Sequence, residues 1–223
     1  MINNDKNKLA FELVNYLNYN SNTLSVTLTG SYAENFNLNK VGDIDIVVIC
    51  KKLSKKFFKE SIKRIKIFHK KHFRDKKLFI NTTFGPIKYY TDNTIVFHLM
   101  IYDLTGHLIH TVKSPFTCFD WERSNIYSGK SLKELIPVRK LQLRDFDEAR
   151  RGYNEYLNDI IKNRISFREY IFRKNKYLVV KKYFKINDLN KRDFIYHIIK
   201  YVLINYIKYE NGINKFIKNR EIE

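Results

Sequence analysis

The stretch LSVTLTGSYAENFNLNKVGDIDIVVIC, residues 24–50, contains two apolar, β-branched segments joined by a polar one. Val, Ile, Leu and Thr dominate residues 24–30 and 43–50, which predicts a strand in each segment. The polar segment between them, residues 31–42, is rich in Asn and predicts a loop. Asp43 and Asp45 stand two residues apart, so we expect their side chains on the same face of a sheet.

The ends of these two strands carry residue types suited to a nucleoside triphosphate and a metal ion. Gly30 lets a phosphate approach the backbone closely, and the Ser31 hydroxyl can donate a hydrogen bond to a phosphate oxygen. Two carboxylates as close as those of Asp43 and Asp45 repel each other unless a cation lies between them. Mg²⁺ suits that position because it binds carboxylate and phosphate oxygens together. The pattern therefore predicts a metal–triphosphate site.

This arrangement resembles the nucleotidyltransferase superfamily that shares its catalytic domain with DNA polymerase beta. The shared pattern is a hydrophobic residue, Gly-Ser, a spacer and Asp-hydrophobic-Asp-hydrophobic. Here it is Leu28, Gly30-Ser31, eleven spacer residues and Asp43-Ile44-Asp45-Ile46, within a resemblance that covers residues 20–103. The resemblance implies that Gly30 and Ser31 bind the phosphates of an NTP, such as ATP. It also implies that Asp43 and Asp45 bind two Mg²⁺ ions.

Many members of the superfamily have a third carboxylate on a later strand, and the sequence departs from that pattern. In the predicted strand NTIVFHLMIYD, residues 93–103, the aligned position is His98. An unperturbed histidine has a pKa near 6.5, so His98 suits a general base, although a lone His in an apolar strand is more often a hydrogen-bonded core residue. Asp103 lies five residues further on, with the opposite strand parity. It is a candidate metal ligand or a turn residue at the end of the strand.

The composition is that of a globular protein with a real core. Of 223 residues, 44% are hydrophobic and 29% are charged, while only 7 Gly and 3 Pro occur. Two Cys are too few for a disulfide scaffold of this size. No apolar run reaches the roughly 18 residues that a membrane span needs. We therefore expect a soluble, cytoplasmic protein that does not bind a membrane.

The charge is strongly basic and falls in two blocks. Lys and Arg number 42 against 23 Asp and Glu, a net charge of +19. The blocks are residues 51–77 and residues 164–192, and aromatic residues alternate with the cations in the second. A polyanion is the natural partner, because each neutralised phosphate releases counterions. The first block predicts RNA contacts through Lys63, Arg64 and Lys70, although such lysines also fit an ordinary solvated helix face.

Periodicity along the chain predicts an α+β fold with a mixed sheet flanked by helices, followed by an all-helical domain. Helices are predicted at 5–18 and 51–77, the second with an apolar stripe formed by Leu53, Phe57, Phe58, Ile62, Ile65 and Phe68. Further strand material is predicted at 78–91, and an irregular, apolar segment at 105–131. From about 131 onward we expect three or four helices, one of them over 165–184. The predicted domains are residues 1–125, catalytic, and residues 126–223, helical.

These observations predict an enzyme that moves a nucleoside monophosphate from an NTP to an acceptor in a Mg²⁺-dependent reaction. A net charge of +19 favours RNA, with tRNA as the best single acceptor, over a cationic small molecule. Three alternatives stay open. They are a nucleotidyltransferase that adenylylates a protein partner, one that modifies a small molecule, and an inactive relative that binds nucleic acid.

Overall fold

The fold is a five-stranded mixed sheet with helices on both faces, extended by a two-stranded hairpin. The computed structural model describes residues 4–35, 43–85, 93–174 and 176–210. The strands are β1 (Thr23–Thr29), β2 (Ile44–Cys50), β3 (Lys77–Asn81), β4 (Thr94–Asp103), β5 (Tyr127–Gly129), β6 (Arg164–Arg173) and β7 (Lys176–Lys185). The helices are α1 (Asn4–Leu17), α2 (Gly30–Asn35), α3 (Lys55–His72), α4 (Leu104–Lys113), α5 (Pro115–Trp121), α6 (Leu132–Leu135), α7 (Leu143–Ile161) and α8 (Asp188–Glu210).

The sheet has the strand order β3-β4-β2-β1-β5. β1 runs antiparallel to β2 and β5, whereas β4 runs parallel to β2 and β3. The predicted α+β fold with a mixed sheet is therefore confirmed. The predicted strand material at 78–91 corresponds to β3 in its first part, and its residues 86–92 lie outside the described residues.

One face of the sheet packs against α1 and α3 and forms the larger core. Alternate residues of the central strands point into it, including Ile46 of β2 and Leu99 of β4, both 0% exposed. The predicted stripe of α3 is confirmed, since four of its members are buried and two are partly buried against the same core. The lysines of α3 consequently lie on the outer side of this helix, away from the sheet.

The opposite face packs against α4, α5 and α6. Its core contains Val47 and Ile49 of β2, Met100 and Tyr102 of β4, and Trp121 of α5. These strand residues have the opposite parity to those of the first core, as the alternation of a strand requires.

Two segments predicted without regular structure are in part helical. The first residues of the predicted loop at 31–42 belong to α2, and residues 36–42 lie outside the described residues. The predicted irregular segment at 105–131 forms most of α4 and all of α5 and β5. The physical reasons are local, because the Asp103 side chain accepts a hydrogen bond from the Gly106 N–H and caps α4, and Pro115 begins α5.

The prediction of an all-helical C-terminal domain is wrong. Residues 164–185 form the β6–β7 hairpin, and α7 and α8 flank it in the chain. The segment is rich in Ile, Phe, Tyr and Val, which favour strands, and this preference prevails over the apolar spacing that suggested a helix. The domain boundary at 125/126 stays a prediction, but β5 follows it and pairs with β1 in the first sheet.

The β6–β7 hairpin contacts the end of β4 that does not pair with β3. β3 pairs with β4 only over residues 94–98. Beyond that point the Tyr170 hydroxyl donates to the Ile101 carbonyl at 2.7 Å, and the Tyr177 hydroxyl donates to Asp103 Oδ2 at 2.8 Å. Phe84 and Arg168 exchange two backbone hydrogen bonds of 2.7 Å. Among the described residues, no helix is long and apolar enough to cross a membrane.

Candidate active site

Four polar side chains lie in a row across four neighbouring strands of the sheet. Thr29 is the register partner of Asp45, Asp45 is that of His98, and Asn81 is that of His98 on its other side. Register partners point to the same face, so these residues share the face opposite α1 and α3. The sheet therefore brings residues from positions 29 to 98 into one polar row.

Asp43, Asp45 and His98 form a group that could hold a metal ion. Each offers one ligand atom, and these atoms lie within 4.8 Å of one another. The side chains of Asp45 and His98 are 19% and 13% exposed. Two of the sequence-predicted aspartates and the predicted histidine thus come together, partly shielded from water but not sealed from it.

His98 is held in one orientation by hydrogen bonds to both ring nitrogens. Its Nε2 lies 2.9 Å from the Thr83 carbonyl oxygen, and its Nδ1 lies 2.8 Å from Asp45 Oδ1. A carbonyl can only accept, so Nε2 donates to Thr83, and an ionised Asp45 also only accepts, so Nδ1 becomes a ligand when a metal ion replaces the hydrogen between it and Asp45 Oδ1. Metal-binding histidines commonly donate their other N–H to a backbone carbonyl in this way. The ring is therefore oriented as a metal ligand would be.

Asn81 fixes the carbonyl that orients His98. Asn81 is 5% exposed, and its Oδ1 accepts from the Thr83 N–H at 2.9 Å and from the Thr83 hydroxyl at 2.7 Å. Sequence reasoning missed both residues. The available signal was Asn followed by Thr-Thr at a strand end, which is typical of a side-chain-capped turn.

Gly30 lies directly against Asp45. Its φ of +71° is in the left-handed region, and an added Cβ would overlap Asp45 Oδ2. Gly30 also begins α2, with Ser31 as the next residue. Beside them, Thr29 Oγ1 is buried and has no hydrogen-bond partner among the described residues. Two carboxylates and an oriented imidazole are a donor set that fits a divalent cation, and the Gly30 backbone lies close beside them.

Asp103 is not part of this group. It pairs in register with Cys50 at the other end of the strands, and its two carboxylate oxygens accept from Gly106 and Tyr177. Burial raises the pKa of the Cys50 thiol to about 12 and that of the Tyr177 hydroxyl well above its usual range, with Asp103 contributing to both. The contacts of Asp103 are those of a helix cap, and a metal role for it stays a prediction without structural support.

The sequence-predicted RNA contacts lie on α3, behind the sheet from the aspartates. The Arg64 guanidinium donates to the Tyr16 carbonyl at 2.9 and 2.7 Å and lies 4.2 Å from the centre of the Tyr16 ring. Lys63 is exposed and lies 4.0 Å from Glu60, and Lys70 is exposed. Arg64 therefore ties α3 to α1, and a nucleic-acid role for all three residues stays a prediction.

A second polar cluster is buried between the sheet and α4. The Tyr102 hydroxyl lies 3.2 Å from His110 Nδ1, and the His110 ring stacks on Trp121 at 4.9 Å. His107 is 1% exposed. Burial lowers the pKa of His107 and of His110 to about 4, so both are neutral at pH 7.

The fold and the acidic group indicate the class of one domain in the chain. A β-strand, a Gly-Ser that begins a helix and an Asp-x-Asp strand are the parts that the sequence resemblance requires. Residues 12–97 match the family model described as nucleotidyltransferase domain. The chain therefore contains a nucleotidyltransferase domain over these residues, with a candidate carboxylate metal site in it. No curated protein and no solved structure matches the chain significantly.

Proposed function

We propose that the protein transfers a nucleoside monophosphate from an NTP to an RNA, tRNA being the best single candidate, in a reaction that depends on a divalent metal ion. The observation that carries the proposal is the Asp43, Asp45 and His98 group, with Gly30 packed against Asp45, inside a nucleotidyltransferase domain. The Gly30 backbone and Ser31 would bind the triphosphate at the start of α2.

Asp43 and Asp45 would hold Mg²⁺, two ions by resemblance to the superfamily. A bound divalent ion supplies Lewis acidity toward the phosphates and lowers the pKa of an attacking oxygen. His98 is best placed as the third ligand at this site. Its Nε2 is committed to Thr83 and its Nδ1 faces the two carboxylates, so a general-base role would need Nδ1 to be clear of both.

The RNA acceptor is supported by charge. A net charge of +19 attracts a polyanion and repels the cationic small molecules that other nucleotidyltransferases modify. Adenylylation of a protein partner and binding of nucleic acid without transfer are the competing functions, and one experiment separates them.

The test is incubation of the purified protein with total RNA, Mg²⁺ or Mn²⁺, and each α-labelled NTP in turn, followed by a denaturing gel. We expect a labelled RNA band, absent with Asp43→Asn. Asp75→Asn is the matched control, because Asp75 is exposed and lies in the turn after α3.

Label in a polypeptide instead of RNA would replace RNA by a protein acceptor. Label in neither, with RNA still retained by the protein, would indicate an inactive binding relative. Label in RNA that persists in the double variant Asp43→Asn/Asp45→Asn would overturn the metal site itself.

A further inference from the structure

The β6–β7 hairpin carries an unusual concentration of positive charge. Residues 164–185 contain eight Lys and Arg and one Glu, a net charge of +7 in 22 residues. Eight of the ten residues of β7 are exposed. The hairpin is therefore a cationic surface presented to solvent, where the sequence pattern predicts a helix.

The register of the hairpin opposes cations to cations. Three of its ten register pairs are Arg164 with Lys185, Arg168 with Lys181, and Arg173 with Lys176. Like charges directly opposite each other destabilise a strand pair. By strand parity Arg164, Lys185, Arg168 and Lys181 share one face of the hairpin, whereas Arg173 and Lys176 lie on the other. The first face therefore holds two opposed cation pairs, a register that an anionic ligand between them would stabilise.

The neighbouring carboxylates neutralise only part of this charge. Glu155 lies 3.3 Å from Lys181 and Asp159 lies 3.2 Å from Arg164, each serving one member of a pair. Among the described residues, no carboxylate lies within 4.0 Å of Arg168, Lys185 or the Arg173 and Lys176 pair. An anionic ligand would supply the missing counter-charge.

An exposed aromatic side chain stands among these cations. Tyr183 is 48% exposed, and the Arg164 guanidinium lies 3.9 Å from the centre of its ring. By strand parity Tyr183 shares its face of the hairpin with Arg168 and Lys181. Alternating cations and aromatic rings are the features that hold unpaired nucleotides, through phosphate contacts and base stacking.

The hairpin is hydrogen-bonded to the segment that orients His98 in the candidate active site. Arg168 exchanges two backbone hydrogen bonds with Phe84, and Thr83, the preceding residue, accepts from His98. The cationic face that contains Arg168 therefore begins beside the segment that orients His98. The cationic face of α3, in contrast, lies behind the sheet.

We propose that the β6–β7 hairpin binds the single-stranded segment of the RNA acceptor that leads into the site. The inference rests on the proposed function for the nature of the acceptor. A second copy of the chain is a poor occupant, because it would bring the same cations together. An acidic protein offers counter-charge, but it lacks the row of planar bases that Tyr183 would stack on.

The test measures binding of a 5′-fluorescein-labelled, unstructured 20-nucleotide RNA to the full chain by anisotropy over a range of KCl concentrations. The hairpin variant is Arg168→Gln/Lys181→Gln, and the charge-matched control is Lys130→Gln/Lys133→Gln, two exposed lysines near α6. We expect the hairpin variant to bind at least tenfold more weakly. The slope of the logarithm of the binding constant against the logarithm of the KCl concentration should become smaller by about 1.4, which is about 0.7 for each of the two phosphates that the variant no longer neutralises.

Two further measurements separate binding from folding. The hairpin variant should melt within a few degrees of the wild type, because the substitution removes cross-strand repulsion and, with it, only an exposed Lys181–Glu155 ion pair that contributes little. Tyr183→Leu keeps the charge and should weaken binding about fivefold or more by removing a stacking partner. A melting temperature that falls by more than a few degrees would show that the cations serve the fold, which would overturn the proposal.

Other outcomes of these measurements would also overturn the proposal. Equal weakening of the hairpin variant and the control would reduce the effect to net charge, and greater weakening by Lys63→Gln/Lys70→Gln would move the RNA to α3. Displacement of the RNA by poly-glutamate as readily as by unlabelled RNA would favour an acidic protein. If the hairpin variant still labels RNA as the wild type does, this inference alone is overturned. If RNA binding depends on the hairpin but no label is transferred, only the proposed function is overturned.

Discussion

The two faces of the five-stranded sheet are formed by the same strands but differ in chemistry. On the face toward α1 and α3, the central strands present apolar side chains such as Ile46 and Leu99, both fully buried. On the other face the same strands present Thr29, Asp45 and His98 at one end. Neighbouring residues of a strand point to opposite faces. Asp45 and His98 at the candidate site are therefore each followed directly by a core residue, Ile46 and Leu99.

The largest expected effect is on stability, from the apolar face. Leu99→Ala should lower the free energy of unfolding by about 3–5 kcal/mol, because a fully buried Leu is replaced by a cavity. Chemical denaturation measures this, with Leu108→Ala as the matched control, since Leu108 is 50% exposed. An equal cost for both variants would mean that this face is not the principal core.

The next effect is on activity, from the polar face. Gly30→Ala should lower the transfer rate by at least about 100-fold, because the new Cβ displaces the Asp45 carboxylate. The left-handed backbone adds about 1–2 kcal/mol of strain, which a melting curve detects. Wild-type turnover in Gly30→Ala would show that Asp45 need not stay where the structure has it.

A third prediction concerns the histidines buried between α4 and the same face of the sheet. The pKa of His107 is about 4 in the folded protein and near 6.5 when unfolded, so only the unfolded chain gains this proton between those pH values. Stability should therefore fall as the pH drops through this window, by about 2 kcal/mol at pH 5 from His107 alone. Urea unfolding at pH 7 and 5 measures this decrease. His107→Leu should reduce it, and an unchanged pH dependence would contradict a buried, neutral His107.

The smallest expected effect concerns metal choice. A group of two carboxylates and an imidazole favours Mn²⁺ over Mg²⁺ more than three carboxylates do. His98→Asp should therefore raise the Mg²⁺-to-Mn²⁺ activity ratio by about tenfold, about 1.4 kcal/mol. Mn²⁺ binding, measured by water proton relaxation without substrate, should weaken in parallel. An unchanged ratio and unchanged binding would place His98 outside the set of ligands.

The contrast between the faces also explains what the sequence could predict. The motif from Gly30 to Asp45 is local and strand parity is simple, so the acidic pair and the class of domain followed from a few residues. The turn at Asn81 and Thr83 had a local signal, but its link to His98 did not, because that link depends on which strands become neighbours. The hairpin was missed because its apolar residues fit helical spacing as well as strand alternation.

The contacts of Thr83 and Phe84 make residues 12–97 depend on parts of the chain that follow them. The carbonyl groups of these two residues serve His98 on one side and Arg168 on the other, while β5 completes the sheet from beyond residue 125. Residues 12–97 moved into another protein would carry both aspartates but not His98, and they would be without β6, whose Arg168 pairs with Phe84. The nucleotidyltransferase domain is thus less separable from the rest of the chain than the matched residues suggest, because the backbone pairing of the hairpin holds the segment that orients His98.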